Sequence, residues 1–226
     1  MNELTIGSNE TNTSFRFMSG NKVVFEFGTI EQTAPVVDTN TGTSSTTTTA
    51  SDGTVTTTVV NNATGQVLET VVTETSGTVT TVTSTLVSNN AITSVATDSA
   101  TGIVVTTVSD LLQNVVQTTT VGAPDASGYV TTTIALPDGS ATETVRDPNN
   151  GNAQISQTVV SAPDADGGYT RTTTYADGSI VELLYDSSDT LIRTTTTTAP
   201  DANGDTVTTI EEHTVTTTED ETTVQT

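Results

Sequence analysis

One histidine is present, His213, in the stretch "IEEHTVTTT" beside Glu211 and Glu212. A serine nucleophile would need that imidazole as its base, and no G-x-S-x-G turn lifts a serine onto an exposed elbow. Cysteine is absent altogether. Carboxylates are abundant, at 27 Asp and Glu, but a glycosidase needs two of them fixed across a deep cleft. Thin sheets of valine and threonine build such clefts poorly. The expectation is a non-enzymatic protein, with His213 projecting from an exposed strand.

Oxygen ligation is the better-placed chemistry. In "PDADGG" the acids Asp164 and Asp166 alternate, and in "PDANGD" the donors are Asp201, Asn203 and Asp205. Oxygen donors at alternate positions, with glycine to turn the loop, suit a hard cation such as Ca²⁺. A bidentate glutamate at the twelfth position is missing, and "PDASGY" keeps one carboxylate. Asp, Asn and Gly are equally the residues of ordinary turns. Ca²⁺-stiffened loops and plain turns both remain open at this stage.

The elements that carry these loops follow from composition. About a quarter of the 226 residues are threonine, and the commonest apolar residue is valine interleaved with it. Both are β-branched and favour strands. Tryptophan is absent and only 32% of residues are hydrophobic. An all-β protein with thin cores is expected, an antiparallel hairpin-repeat meander forming a thin sandwich or an elongated strip.

All four phenylalanines fall in "SFRFMSGNKVVFEF", with Phe15 and Phe17 alternating about Arg16, and Phe25 and Phe27 about Glu26. Period-2 alternation on both sides of "SGN" predicts a hairpin. Residues 1–30 therefore read as an aromatic N-terminal hairpin, and Phe15, Phe17, Val24, Phe25 and Phe27 as its candidate assembly residues. Two strands alone are marginal, so this hairpin needs a partner surface. Residues 31–50, "EQTAPVVDTNTGTSSTTTTA", read as a threonine-rich linker, and 51–226 as the repeat body.

Within the body, counting eight residues from the glycine of an Asp-Gly pair leads from Gly53 to Asn61, from Gly139 to Asp147 and from Gly178 to Asp186. Four residues further stand Gly65, Gly151 and Thr190. A second marker, "APDA", begins at Ala123 and Ala162, and its last copy at Ala199 reads the same. Asp-Gly between alternating segments predicts hairpins whose two central residues both take positive φ. In "YVTTTIAL", Val130, Thr132, Ile134 and Leu136 share one side, and Tyr129, Thr131, Thr133 and Ala135 the other. Hydroxyl ladders and backbone bonds must then carry unusual weight.

The segment Tyr175–Thr196, "YADGSIVELLYDSSDTLIRTTT", resembles a YD repeat of the kind found in Rhs-type and related large extracellular proteins, matching at Asp177, Gly178, Tyr185, Asp186 and Leu191. "LPDGSATETVRDPNNGNAQI" keeps the spacing with Arg146 in place of the tyrosine, and "SDGTVTTTVVNNATGQVL" has Val60 there. The resemblance implies a β-hairpin repeat of an extracellular structural protein. Family members wind many such hairpins into a closed shell, for which three or four units are too few. It implies nothing about activity.

Charge narrows the partners. A formal net charge of −22 with five basic residues, Arg16, Lys22, Arg146, Arg171 and Arg193, leaves nothing to neutralise phosphates. No apolar stretch approaches a membrane span in length. The beginning, "MNELTIGSNE", lacks the basic and apolar regions of a secretory signal. The acidic, hydroxyl-rich end, "TVTTIEEHTVTTTEDETTVQT", resembles the uncleaved signals of type I secretion. An extracellular or cell-surface place is expected, with copies of the chain itself as partner. The leading expectation is a structural protein polymerising into a filament or matrix fibre by β-strand complementation. Its alternatives are a repeat adhesin that binds surface carbohydrate through Ca²⁺-stiffened loops, and an ice-binding threonine array. The last needs a fixed repeat length, whereas the repeat here drifts.

Overall fold

The computed structural model describes residues 2–9, 12–19 and 22–213, with side chains from residue 32 onward. It divides into two units, Met1–Ala123 and Pro124–Thr226. Both are antiparallel β, as the alternation of β-branched residues requires. The first unit runs β1 (Asn2–Asn9), β2 (Asn12–Ser19), β3 (Lys22–Gln32), β4 (Val36–Asp38), β5 (Thr43–Thr49), β6 (Val55–Asn61), β7 (Val67–Ser76), β8 (Val79–Leu86), β9 (Ala91–Asp98), β10 (Val104–Asp110) and β11 (Val115–Val121). A short 3-10 turn, Val87–Asn89, joins β8 to β9. The second unit runs β12 (Val130–Ala135), β13 (Ala141–Asp147), β14 (Ala153–Val160), β15 (Tyr169–Tyr175), β16 (Ile180–Tyr185), β17 (Leu191–Thr197) and β18 (Thr208–Glu212).

Each unit is a meander of antiparallel strands, in the first of which β3 and β4 both pair β5. From β5 to β11 the ladders follow chain order, and from β12 to β18 they do so again. At the N-terminus β1 pairs β2 and β2 pairs β3. The β2–β3 register sets Phe15 opposite Phe27 and Phe17 opposite Phe25. Val24 has no opposite residue there, because the register shifts between Phe17 and Met18. The side chains of these five residues lie outside the described part of the structure. The hairpin meets the following sheet through two residue pairs, Glu31–Thr49 and Gln32–Thr48.

The segment 31–50 is not a linker. It contains the end of β3, then β4 and all of β5, and β5 pairs β6 at seven positions from Thr43–Asn61 to Thr49–Val55. Apolar alternation is absent from "TSSTTTT", so pattern reading passes over it. β-Branched threonine forms a strand there because a neighbouring strand supplies the ladder.

Among the described residues even a thin apolar core is not seen. Among the described residues no apolar side chain is buried, and the single buried residue is Thr158, at 5% exposure. Along β5 and β6 every residue is half-buried, whichever way its side chain points. A covered face would bury alternate positions, and β5 and β6 show no such alternation. Register explains why no apolar face accumulates. Ile134 lies opposite Thr142, Ile180 opposite Thr197 and Val181 opposite Thr196, so aliphatic and hydroxyl side chains mix across the strands of both faces.

Hydroxyl pairs recur between neighbouring strands instead. Thr47 and Thr57 meet at 2.9 Å, Thr158 and Thr173 at 2.9 Å, and Thr197 and Thr208 at 3.1 Å. Thr83 donates to Ser94 at 3.2 Å. Each such pair contributes roughly 0.2–1 kcal/mol relative to alanines.

Candidate functional site

The turns hold most of the polar chemistry, and one backbone design recurs in them. In Ala50–Thr54, the N–H of Ala50 donates to the carbonyl of Thr54 (2.8 Å) and that of Gly53 to Ala50 (3.0 Å). Leu136–Ser140 and Tyr175–Ser179 repeat both bonds. The glycines of these turns, Gly53, Gly139 and Gly178, sit at φ +88°, +88° and +87°, while the aspartates before them do not take positive φ. The Asp-Gly pairs are therefore not two-residue turns with both residues left-handed. They are three-residue loops, a type I turn closed by a left-handed residue in a bulge. The aspartate stays right-handed because its carboxylate caps the loop: Asp52 Oδ1 accepts the N–H of Thr54 at 2.9 Å. Asp138 and Asp177 accept both the N–H (2.9 Å) and the hydroxyl (2.7 Å) of Ser140 and Ser179.

The "PDA" turns use the same five-residue backbone with the cap moved to its first position. Asp125 Oδ1 accepts the N–H groups of Ser127 (2.8 Å) and Tyr129 (3.0 Å). Asp164 Oδ1 accepts those of Asp166 and Gly168, both at 2.9 Å. Asp201 Oδ1 accepts those of Asn203 (2.8 Å) and Asp205 (2.9 Å). Asp186, which matches the YD-like unit, does the same for Ser188 and Thr190, with Asp189 at φ +61° in the left-handed place. Asn61 and Asp98 cap longer loops that end at Gly65 and Gly102. The repeat seen in the sequence is thus the alternation of capped turns along the meander.

Hydrogen bonding to the charged form favours it, so the carboxyls of Asp38, Asp52, Asp98, Asp138, Asp177, Asp186 and Asp201 are held below the ordinary aspartate value. For Asp138 and Asp177 the leading cause is the serine hydroxyl, and for Asp201 and Asp186 the backbone N–H groups of Asp205 and Thr190. In Asp38 and Asp52 the N–H groups of Asn40 and Thr54 lead.

Of the expected metal donors, Asp164 and Asp201 cap their own turns, while Asp166, Asn203 and Asp205 donate backbone N–H groups to those caps. Asp164 and Asp166 border a groove of about 280 Å³, together with Gly168, Leu184, Tyr185, Asp186, Ser187 and Ile192. A side chain at Gly168 would come within 3.0 Å of the Tyr185 carbonyl oxygen, so glycine is needed for that approach. Asp201, Asn203 and Asp205 lie in a different turn, between β17 and β18. Among the described residues no three or more His, Asp or Glu side chains are grouped to hold a metal ion.

His213 follows β18, half-buried, with Nε2 2.9 Å from the hydroxyl of Thr194. Its neighbours Glu211 and Glu212 are exposed. Beside it Arg193 reaches Glu182 at 3.8 Å, and between β15 and β16 the rings of Tyr169 and Tyr185 stack at 4.9 Å.

Two apolar surface features escaped the sequence pattern. One is the turn Asp110–Asn114, which carries Leu111 and Leu112 at its centre, Leu112 being 83% exposed. The other is a hollow of about 120 Å³ lined by Ile134, Leu136, Ser140, Ala141, Thr142 and Val159. Paired leucines between two turn-capping residues were the available signal for the first. The second exists only once three strands are in register. No protein-family model matches the chain, and no curated protein matches it.

Proposed function

We propose that this is a non-enzymatic structural protein that assembles with copies of itself into an extracellular filament or matrix fibre. The observation that carries this reading is that no apolar side chain among the described residues is buried. A sheet gains stability by covering a face with a second layer. A meander that leaves both faces half-solvated has that layer still to gain, and a second copy supplies it.

Strand exchange through the N-terminal hairpin is the proposed route. β2 and β3 join their own sheet through two residue pairs, whereas β5 and β6 share seven. Moving the hairpin to another copy therefore breaks few backbone bonds and forms the same ones elsewhere, the condition that favours exchange of elements between protomers. The caps also suit assembly, since they draw carboxylates into the turns and leave β5 and β6 without a charged residue. Net charge of −22 then disfavours lateral clumping while strand contacts join copies.

Negative-stain microscopy and sedimentation of the full chain, beside a chain lacking residues 1–30, test the reading. Filaments from the full chain and their loss on truncation are expected. Monomers at every concentration and pH would end it.

A further inference from the structure

We infer that copies of the chain join head to tail, the Leu111–Leu112 turn of one seating in the apolar hollow beside the β12–β13 turn of the next. This contact rests on the self-assembly reading above and names the surfaces that meet.

The turn itself does not call for leucine. Asp110–Asn114 has the same backbone bonds as the other five-residue turns, with Asp110 Oδ1 accepting the N–H groups of Leu112 and Asn114, both at 2.9 Å, and Gln113 at φ +67°. At the second and third positions the equivalent turns place small or polar residues: Ala126 and Ser127, Ala165 and Asp166, Ala202 and Asn203. Here those places hold Leu111 and Leu112, 44% and 83% exposed, followed by Val115 and Val116 at 46% and 51%. Large apolar side chains left exposed together at one hairpin end are of the kind that marks an interaction surface.

The hollow fits that patch in size and chemistry. Register sets Ile134, Thr142 and Val159 side by side across β12, β13 and β14, and Leu136 and Ala141 close the end at the turn. Ile134, Leu136 and Val159 are themselves 37%, 43% and 48% exposed. Truncating one buried leucine leaves a cavity on the order of 150 Å³, so a hollow of about 120 Å³ is of leucine size. No carboxylate lines it. The tip's own carboxylate, Asp110, is tied up by its turn N–H groups and by Asn114 Nδ2 at 2.9 Å. Two strongly acidic copies can therefore meet here without apposing free charges.

Tip and hollow belong to different units of the chain, and Leu112 is 83% exposed. A contact between two unlike surfaces that is not returned about a two-fold axis leaves each pair with one free tip and one free hollow, and such a contact propagates into a filament, or into a ring where the rotation closes.

Sedimentation of full-length Leu112→Asp and Val159→Glu, separately and mixed, tests the contact. Each variant alone should raise the concentration at which the parent assembles by about tenfold or more. An equimolar mixture should give one-to-one pairs, because the intact tip of Val159→Glu meets the intact hollow of Leu112→Asp. Should Val159→Glu lose its β-sheet circular dichroism, Leu112→Asp and Leu112→Ala decide alone, since an exposed turn leucine is not needed for folding. If Leu112→Asp assembles at the parent's concentration, the tip contact is wrong and strand exchange stands without it. A parent that never assembles overturns both.

Discussion

Thr158 offers the sharpest test of the idea that hydroxyl pairs replace a core. It is 5% exposed, and its hydroxyl meets that of half-buried Thr173 at 2.9 Å across β14 and β15. Valine has nearly the shape of threonine, so each substitution removes the hydroxyl and little else. In Thr158→Val, the hydroxyl left on Thr173 turns to water, and the cost is about 0.5–1 kcal/mol. In Thr173→Val, the hydroxyl left on Thr158 has no water beside it, and the cost approaches the penalty for a buried polar group without a partner, about 1–3 kcal/mol. The double variant replaces both partners by apolar groups of the same shape and should return close to the parent. Coupling between the two positions is then close to the sum of the two single costs, about 1.5–4 kcal/mol. For a chain of this size each kcal/mol corresponds to roughly 2–4 °C in Tm. Urea unfolding followed by circular dichroism, at a concentration below assembly, measures all four corners of the cycle. If the two single costs simply add in the double variant, or if Thr173→Val is neutral, the pair contributes nothing and the ladder account fails.

Acid should weaken the fold through its turns. The folded-state pKa values of Asp138, Asp177, Asp186 and Asp201 lie below the ordinary 3.8, so their contribution is whole above the unfolded value and is lost as pH falls through the folded ones. A Tm that is level from about pH 7 to 5 and drops below about pH 4 is expected; a Tm that rises steadily down to pH 3 would mean that relief of charge repulsion outweighs the caps. Backbone handedness gives a second comparison. Gly53 has nothing within 4 Å of a built Cβ, and Gly178 has Pro200 Cδ at 3.3 Å, while both sit near φ +88°. Gly53→Ala should cost about 1–2 kcal/mol from backbone conformation alone, and Gly178→Ala more, by thermal melting; equal costs would remove the close packing of Pro200 from the account.

Much of the local structure was legible in the residues. β-Branched alternation around Asp-Gly and Asp-Ala pairs implies antiparallel hairpins, and Phe15, Phe17, Phe25 and Phe27 imply their own hairpin, because strand period and turn chemistry are local properties. Turn type was only half legible. An Asp-Gly pair is compatible with two loop lengths, and the choice fell to the carboxylate, which reaches the N–H two residues on only when the aspartate stays right-handed. β5 was hidden because seven hydroxyl residues have no apolar period, and what makes them a strand is β6 alongside. Other matters belonged to the tertiary structure alone. Which side chains stand opposite one another, and hence that Val181 faces Thr196 and no apolar side chain among the described residues is buried, depends on register between strands. The same holds for the hollow at Ile134, Thr142 and Val159, which needs three strands in place before it exists. Types and turns are written in single stretches of chain; faces, rows and hollows arise only when separate stretches are brought together.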